Sequence, residues 1–299
     1  MPRVNVVIPS YNHGRFLTRT VRSVLDQTFQ DFDLVIVDDG STDDTEAVVS
    51  RLDARVKYVK QGNAGLGAAR NTGARMADGE WLAFLDADDS WKPEKLERQL
   101  AAVTTPGPVG VVYTGAEFTD EAGHRTGVFP HTGPYGRVLD TLWKANFVCS
   151  GSNALVRRSS FERAGGFDEA RVVMGVADWE LWIRLAAFDE FACVEEPLIC
   201  YTRRPNGMSQ DYPAMMQGEY YLLHKHLDAS ERWLRVPGSP DLRLPPPPWS
   251  VSLARRMGRP DEARRYFLSL LQSDPLGTLA AKIPVREFLA SFRRHHLAR

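Results

Sequence analysis

The chain has 299 residues, 43% of them hydrophobic and 25% charged, which excludes disorder and coiled coil and leaves room for two domains, or one large α/β domain with an appendage. Its 37 basic and 38 acidic side chains leave a formal charge of -1, without the basic excess that a nucleic-acid partner favours. Cys149, Cys193 and Cys200 have no CxxC spacing and suggest neither a disulfide framework nor a zinc site; with no signal-peptide pattern and no run of ~18 apolar residues, the expected location is the cytoplasm.

From residue 1 to about 115, β-branched runs alternate with helical patterns, the signature of βαβ units and a parallel sheet. Strands are predicted at 4–8, 34–37, 56–59, 81–85 and 109–113. Between them, Phe16, Leu17, Val21, Val24 and Leu25 recur at helical spacing, and 45–52 and 93–103 read the same way, with Pro93 suited to a first turn. Residues 116–236 are mixed, with a strand predicted at 153–156 and an amphipathic helix at 179–185. The prolines of 236–250 favour an extended linker. Residues 250–299 carry ten basic and four acidic side chains, a local charge of +6 that leaves -7 for the rest.

The chemistry sits where the strands end. Asp38-Asp39-Gly40 follows the second predicted strand and Asp86-Ala87-Asp88-Asp89 the fourth. A single acidic turn is an ordinary strand end, but two at the same end of parallel strands concentrate carboxylates in the crevice where open α/β sheets bind ligands. Without nearby arginine such carboxylates repel one another unless a cation joins them, and their hard oxygens suit Mg²⁺ or Mn²⁺ holding a diphosphate. In 62–73 (GNAGLGAARNTG), Arg70 stands where a dinucleotide fingerprint needs its third glycine; close helix packing accounts for Gly67 and Gly73, and Arg70 is a candidate phosphate or base contact. Asp178, opening the helix at 179–185, reads either as an N-cap or as a general base able to deprotonate a hydroxyl. A different reading takes 84–90 (FLDADDS) as the DxDx[ST] motif of haloacid-dehalogenase-type phosphatases, with Asp86 as nucleophile and Asp88 as acid.

Taken in order, 6–12 (VVIPSYN), 33–45 (DLVIVDDGSTDDT), 63–71 (NAGLGAARN), 81–89 (WLAFLDADD), 165–169 (GGFDE) and 178–185 (DWELWIRL) resemble the motif series of the family 2 glycosyltransferases over roughly residues 1–210. The resemblance implies a GT-A fold, a Rossmann-like mixed α/β sheet flanked by helices, over 1–235. The nucleotide-binding half would run to about 115 and the acceptor half over 116–235, followed by the linker at 236–250 and a short basic helical tail at 251–299. It further implies that Pro9, Tyr11, Asp39 and Arg70 line a nucleobase pocket, that Asp86 meets the ribose, that Asp88 binds Mg²⁺ or Mn²⁺, and that Asp178 is the catalytic base. Two departures stand out: Ala177 precedes Asp178 where the family usually has glutamate, and Arg204 occupies the position of a metal-binding histidine. Arginine cannot ligate a cation, so Arg204 is a candidate diphosphate contact.

The reading that follows is inverting transfer of a sugar from a nucleotide-diphosphate donor, a UDP-sugar, to a glycan or glycolipid acceptor in cell-surface polysaccharide or glycolipid synthesis. Trp143, Asn153 and Trp179 are candidate acceptor contacts. A nucleotide-sugar-binding protein without catalysis is the third reading, favoured by Ala177 and Arg204. In the tail, Val285, Phe288, Leu289 and Phe292 form one helical stripe that either docks on the preceding 252–271 segment, which reads like half a helical hairpin, or lies with its basic flank on an anionic membrane.

Overall fold

The computed structural model describes residues 3–76, 78–103, 109–129, 132–227, 234 and 244–273. The chain divides into two compact units, Met1–Met215 and Met216–Arg299.

In the first unit the chain order is β1 (Val4–Ser10), α1 (Gly14–Leu25), β2 (Phe32–Asp38), α2 (Thr45–Val49), β3 (Val56–Lys60), α3 (Leu66–Arg75), β4 (Trp81–Phe84), β5 (Ser90–Trp91) and α4 (Lys95–Ala101). There follow β6 (Val109–Thr119), β7 (Arg125–Phe129), α5 (Leu139–Lys144), β8 (Leu155–Arg157), α6 (Arg158–Ala164), α7 (Ala177–Ala186), β9 (Glu190–Thr202) and the start of α8 (Tyr212–His226). The described strands form one mixed sheet in the order β3-β2-β1-β4-β8-β6-β9-β5, with β7 paired to β6. Strands β3, β2, β1 and β4 are parallel neighbours. All seven residues of β1 are buried, as a central strand covered on both faces requires, so its sequence is a nearly continuous apolar run.

Helix α1 covers one face with Leu17, Val21 and Val24, which pack with Val6, Ile8, Leu34 and Ile36 in the core. Helix α3 covers the sheet so closely that a Cβ on Gly73 would collide with the Val7 side chain, and one on Gly67 with the Asp168 carbonyl. Gly73 therefore serves helix–sheet packing as expected, whereas Gly67 makes room for the 168–169 loop and not for the sheet.

Beyond β4 the parallel pattern ends. The fifth predicted strand, within β6, does not pair with β4, because β8 lies between them, antiparallel to both. The predicted strand at 153–156 is observed as a 3₁₀ turn at Gly151–Asn153 followed by β8. Pro93 lies before the cap of α4, outside the helix.

In the second unit, α8 continues and is followed by α9 (Trp249–Arg256) and α10 (Pro260–Ser273). Helices α9 and α10 pack on each other as a complete helical hairpin within the segment read from the sequence as half of one, burying Val251, Leu253, Ala254, Tyr266 and Phe267. The Tyr220 hydroxyl donates to Glu262 (2.8 Å), whose carboxylate lies 3.5 Å from His224 Nε2. Of the predicted linker, 244–248 is described and leads into α9 at Trp249; 235–243 and the apolar stripe at 285–292 lie outside the described residues. No described helix is long and apolar enough to cross a membrane.

Candidate active site

The site is built where β1, β2 and β4 end side by side. Register pairs Ser10 with Asp38 and Val7 with Phe84, so the segments after these strands emerge from the same edge. Pro9 is buried within β1, and Tyr11, just beyond it, is 45% exposed. Asp38 is structural: its carboxylate accepts from Ser41 N (2.7 Å) and the Tyr58 hydroxyl (2.6 Å). Asp39 folds the glycine-rich loop toward the strand ends, accepting from Gln61 Nε2 (2.7 Å), Ala64 N (2.9 Å) and Gly65 N (2.7 Å). These donors use three of the roughly four lone-pair positions on an ionised carboxylate, so one acceptor position remains.

The loop Asp86–Asp89 is held from several sides. Ser152 Oγ donates to Asp89 (2.7 Å) and accepts from Asp86 N (3.1 Å). The Asp88 carbonyl accepts from Arg19 (2.7 Å) and from the Thr202 hydroxyl (2.6 Å), and Thr202 N donates to the Asp89 carboxylate (2.9 Å). Asp89 is almost fully buried; burial foremost, then the neighbouring Asp88 and Asp86 charges, pushes its carboxyl well above the usual range. It works as a bracket for the loop, a role that residues brought from β9 and the 150–153 turn create and that sequence spacing does not reveal.

The carboxylates do not stand unopposed, as the spacing suggested. Arg70 pairs with Asp86 (2.5 Å) and Arg204 with Asp88 (2.7 Å), and His13 Nε2 lies 3.8 Å from the same Asp88 oxygen. Arg70 is 2% exposed, with its guanidinium 4.9 Å from the Phe167 ring centre and beneath Gly151. This corrects the expectation of an open phosphate or base contact: the buried arginine orients Asp86. Arg204 is more accessible, with its side chain 20% exposed. Burial raises the Asp88 carboxyl, and Arg204 partly offsets it.

Among the described residues, no three His, Cys, Asp or Glu side chains gather to hold a metal. A Mg²⁺ or Mn²⁺ shared with substrate phosphates needs only one or two protein ligands, so Asp88, its side chain 16% exposed at the strand ends, fits that kind of site.

Asp178 is the second residue of α7, whose cap position is Val176 and lacks a side-chain cap bond. The cap reading is therefore corrected. Its Oδ1 accepts from Trp179 N (2.7 Å), and burial pushes its carboxyl up to about 6, against the lowering effect of the Arg70 charge. Arg70 thus links Asp86, by contact, to Asp178, by its field.

The candidate acceptor contacts are core residues. Asn153 is fully buried, donating to the Thr114 carbonyl (2.7 Å) and accepting from Ser150 (3.0 Å). Trp143 is 1% exposed, and Trp179 donates its indole N–H to the Leu142 carbonyl (2.7 Å). In this structure their burial leaves them no open face toward an acceptor.

The glycosyl transferase family 2 profile matches residues 5–165, more than half of the chain. The chain belongs to that family. Its match to Escherichia coli chondroitin synthase is 30% identical over 210 residues, covering 69% of the chain and 29% of the synthase. The matches span 17% to 58% of the length of such curated relatives, less than two thirds of each. Staphylococcus aureus TarS in complex with UDP-GlcNAc superposes with a TM-score of 0.60 at 17% identity, over 95% of this chain and 77% of that one. The mannosyltransferase of Pyrobaculum calidifontis in complex with GDP-Man and Mn²⁺ gives 0.60 at 21%, over 99% and 81%. These likenesses establish the GT-A fold of the family 2 chain and leave the phosphatase reading of 84–90 without support.

Proposed function

We propose that this family 2 chain is an inverting glycosyltransferase, moving a sugar from a nucleotide-diphosphate donor, a UDP-sugar, to an acceptor hydroxyl in cell-surface polysaccharide or glycolipid synthesis. The observation that carries this reading is Asp178: a carboxylate with its pKa pushed up to about 6, placed within the field of the Arg70 that holds Asp86. A base with a pKa near neutrality is ionised at working pH yet basic enough to accept a proton as an alcohol attacks.

In the step proposed, the acceptor oxygen attacks the sugar's anomeric carbon from the face opposite the diphosphate. The new C–O bond forms as the bond to the diphosphate breaks, and the hydroxyl proton passes to Asp178. Tyr11 and the remaining acceptor position of Asp39 receive the base beside Pro9, and Asp86, oriented by Arg70, meets the ribose. Arg204 offers a guanidinium to the diphosphate. Mg²⁺ or Mn²⁺ at Asp88 would supply further neutralisation of the leaving group. We place this enzyme in the cytoplasm, and the +6 charge of residues 250–299 supports its contact with an anionic membrane through that segment.

The test is transfer itself. A panel of nucleotide sugars offered with Mn²⁺ and a mixed glycan acceptor should give a product of inverted anomeric configuration with wild type, and none with Asp178→Asn at undiminished donor affinity. Donor binding without turnover by the wild-type chain would instead make it a nucleotide-sugar-binding protein.

A further inference from the structure

His13 belongs to none of the roles assigned above, yet it is oriented toward Asp88. Asn12, at φ +55°, turns the chain after β1. Its side-chain oxygen accepts from Thr42 N (2.8 Å), and its own N–H donates to Ser41 Oγ (2.9 Å), which fastens this turn to the loop after β2. Because β1 and β4 run in parallel register, the turn lies beside Asp86–Asp89.

The His13 ring is also fixed. Nδ1 lies 2.6 Å from the Tyr11 carbonyl, which can only accept, so Nδ1 carries a proton, and it is Nε2 that holds the lone pair when the ring acts as a ligand. The Phe16 ring, 6.0 Å away between centres, flanks it. Nε2 is buried without a hydrogen-bond partner. At 3.8 Å from Asp88 Oδ2 it is too far for a hydrogen bond. Adjacent ligands each ~2.1 Å from an octahedral cation are about 3.0 Å apart, so His13 Nε2 and Asp88 Oδ2 share one cation once a small side-chain adjustment of about 0.8 Å closes the gap. A ring nitrogen whose other nitrogen is anchored to a backbone carbonyl is the usual arrangement of a metal-binding histidine.

We propose that His13 Nε2 is a ligand of the divalent cation that enters with the donor diphosphate, forming with Asp88 the protein's share of its coordination. This rests on the nucleotide-sugar reading above. It also accounts for Arg204 standing where a histidine was expected, since the imidazole arrives from a different segment, the turn after β1. Arg204 Nε occupies the same Asp88 oxygen at 2.7 Å, and the incoming diphosphate offers that guanidinium a new partner as the cation takes its place.

The experiment is pulsed electron paramagnetic resonance of the full-length chain with Mn²⁺, alone and with UDP or GDP, in wild type, His13→Ala, His13→Gln and Asp88→Ala. Electron spin-echo modulation from a bound imidazole nitrogen is expected in the wild-type nucleotide complex and should change when histidine is labelled with ¹⁵N. It should vanish in His13→Ala and His13→Gln, with Mn²⁺ affinity lowered on the order of tenfold or more and nucleotide affinity in EDTA unchanged. Bound Mn²⁺ without nitrogen modulation, or modulation that survives both His13 variants, overturns the assignment while leaving the nucleotide reading intact. Calorimetry with UDP and GDP tests that reading separately: if neither binds, with or without Mn²⁺, it falls and this ligand falls with it. If His13→Ala melts early, the ¹⁵N effect in wild type and the His13→Gln spectrum decide.

Discussion

At the scale of single residues, Asp178 carries the clearest consequence. Its carboxyl is raised from the ordinary 3.8 to about 6, chiefly by burial, so ionisation costs the folded state more than the unfolded chain. Stability on this account is fully present below about pH 4 and is lost as pH rises through about 6. Asp178→Asn should therefore melt higher than wild type at pH 8, with the difference disappearing near pH 4. Catalysis runs in the opposite sense: the base must be ionised, so log kcat should fall by one for each pH unit below about 6 and level off above it. A flat kcat profile from pH 5 to 8 would remove Asp178 as the base. Arg204 gives a second test, because its fixed charge sits 2.7 Å from the Asp88 carboxylate. Arg204→His should raise Mn²⁺ affinity by removing that competing charge and adding an imidazole, and should weaken UDP binding in EDTA. Unchanged Mn²⁺ affinity by titration would show that the guanidinium does not compete for Asp88.

At the scale of elements, α3 joins the packing of the sheet to the site. Gly73 allows the helix to approach Val7 of β1, and Arg70, one turn earlier, is delivered to Asp86. Gly73→Ala inserts a methyl group into the Val7 side chain, an overpacking that costs about 1–3 kcal/mol and should appear as a lower urea midpoint with an unchanged m-value. A midpoint equal to wild type would show that the helix shifts at no cost. The same helix docks on the GGFDE block: Asn71 donates to the Phe167 carbonyl (2.9 Å) and accepts from Phe167 N (2.8 Å). The two sequence blocks, NAGLGAARN and GGFDE, are thus halves of one contact.

At the scale of the whole molecule, the two units differ in charge. Residues 274–299 hold five basic and two acidic side chains, a net +3 within the +6 of the last fifty residues. At about 1 kcal/mol per basic residue near an anionic surface, this excess is enough to measure in a sedimentation assay. Full-length protein should co-sediment with phosphatidylglycerol vesicles at low salt and be released at high salt, and a version ending at Ser273 should bind less. Equal, salt-insensitive behaviour of both would leave the tail without a membrane role.

The sequence by itself determined the parallel half of the sheet and the acidic strand ends, because both are local: β-branched runs, helical spacing and Asp-rich turns each lie within a few adjacent residues. It also determined the family, since six blocks in order carry that information without any contact being known. Only the tertiary structure decided what surrounds the carboxylates. Arg70, His13, Ser152 and the Thr202–Arg204 pair at the end of β9 reach Asp86–Asp89 from four separate segments, and no spacing rule links these segments. The same holds for Trp143, Asn153 and Trp179, whose polar and aromatic character reads as ligand contact in a sequence. Burial turned them into scaffold, because a polar group removed from water must find its hydrogen-bond partner inside the protein.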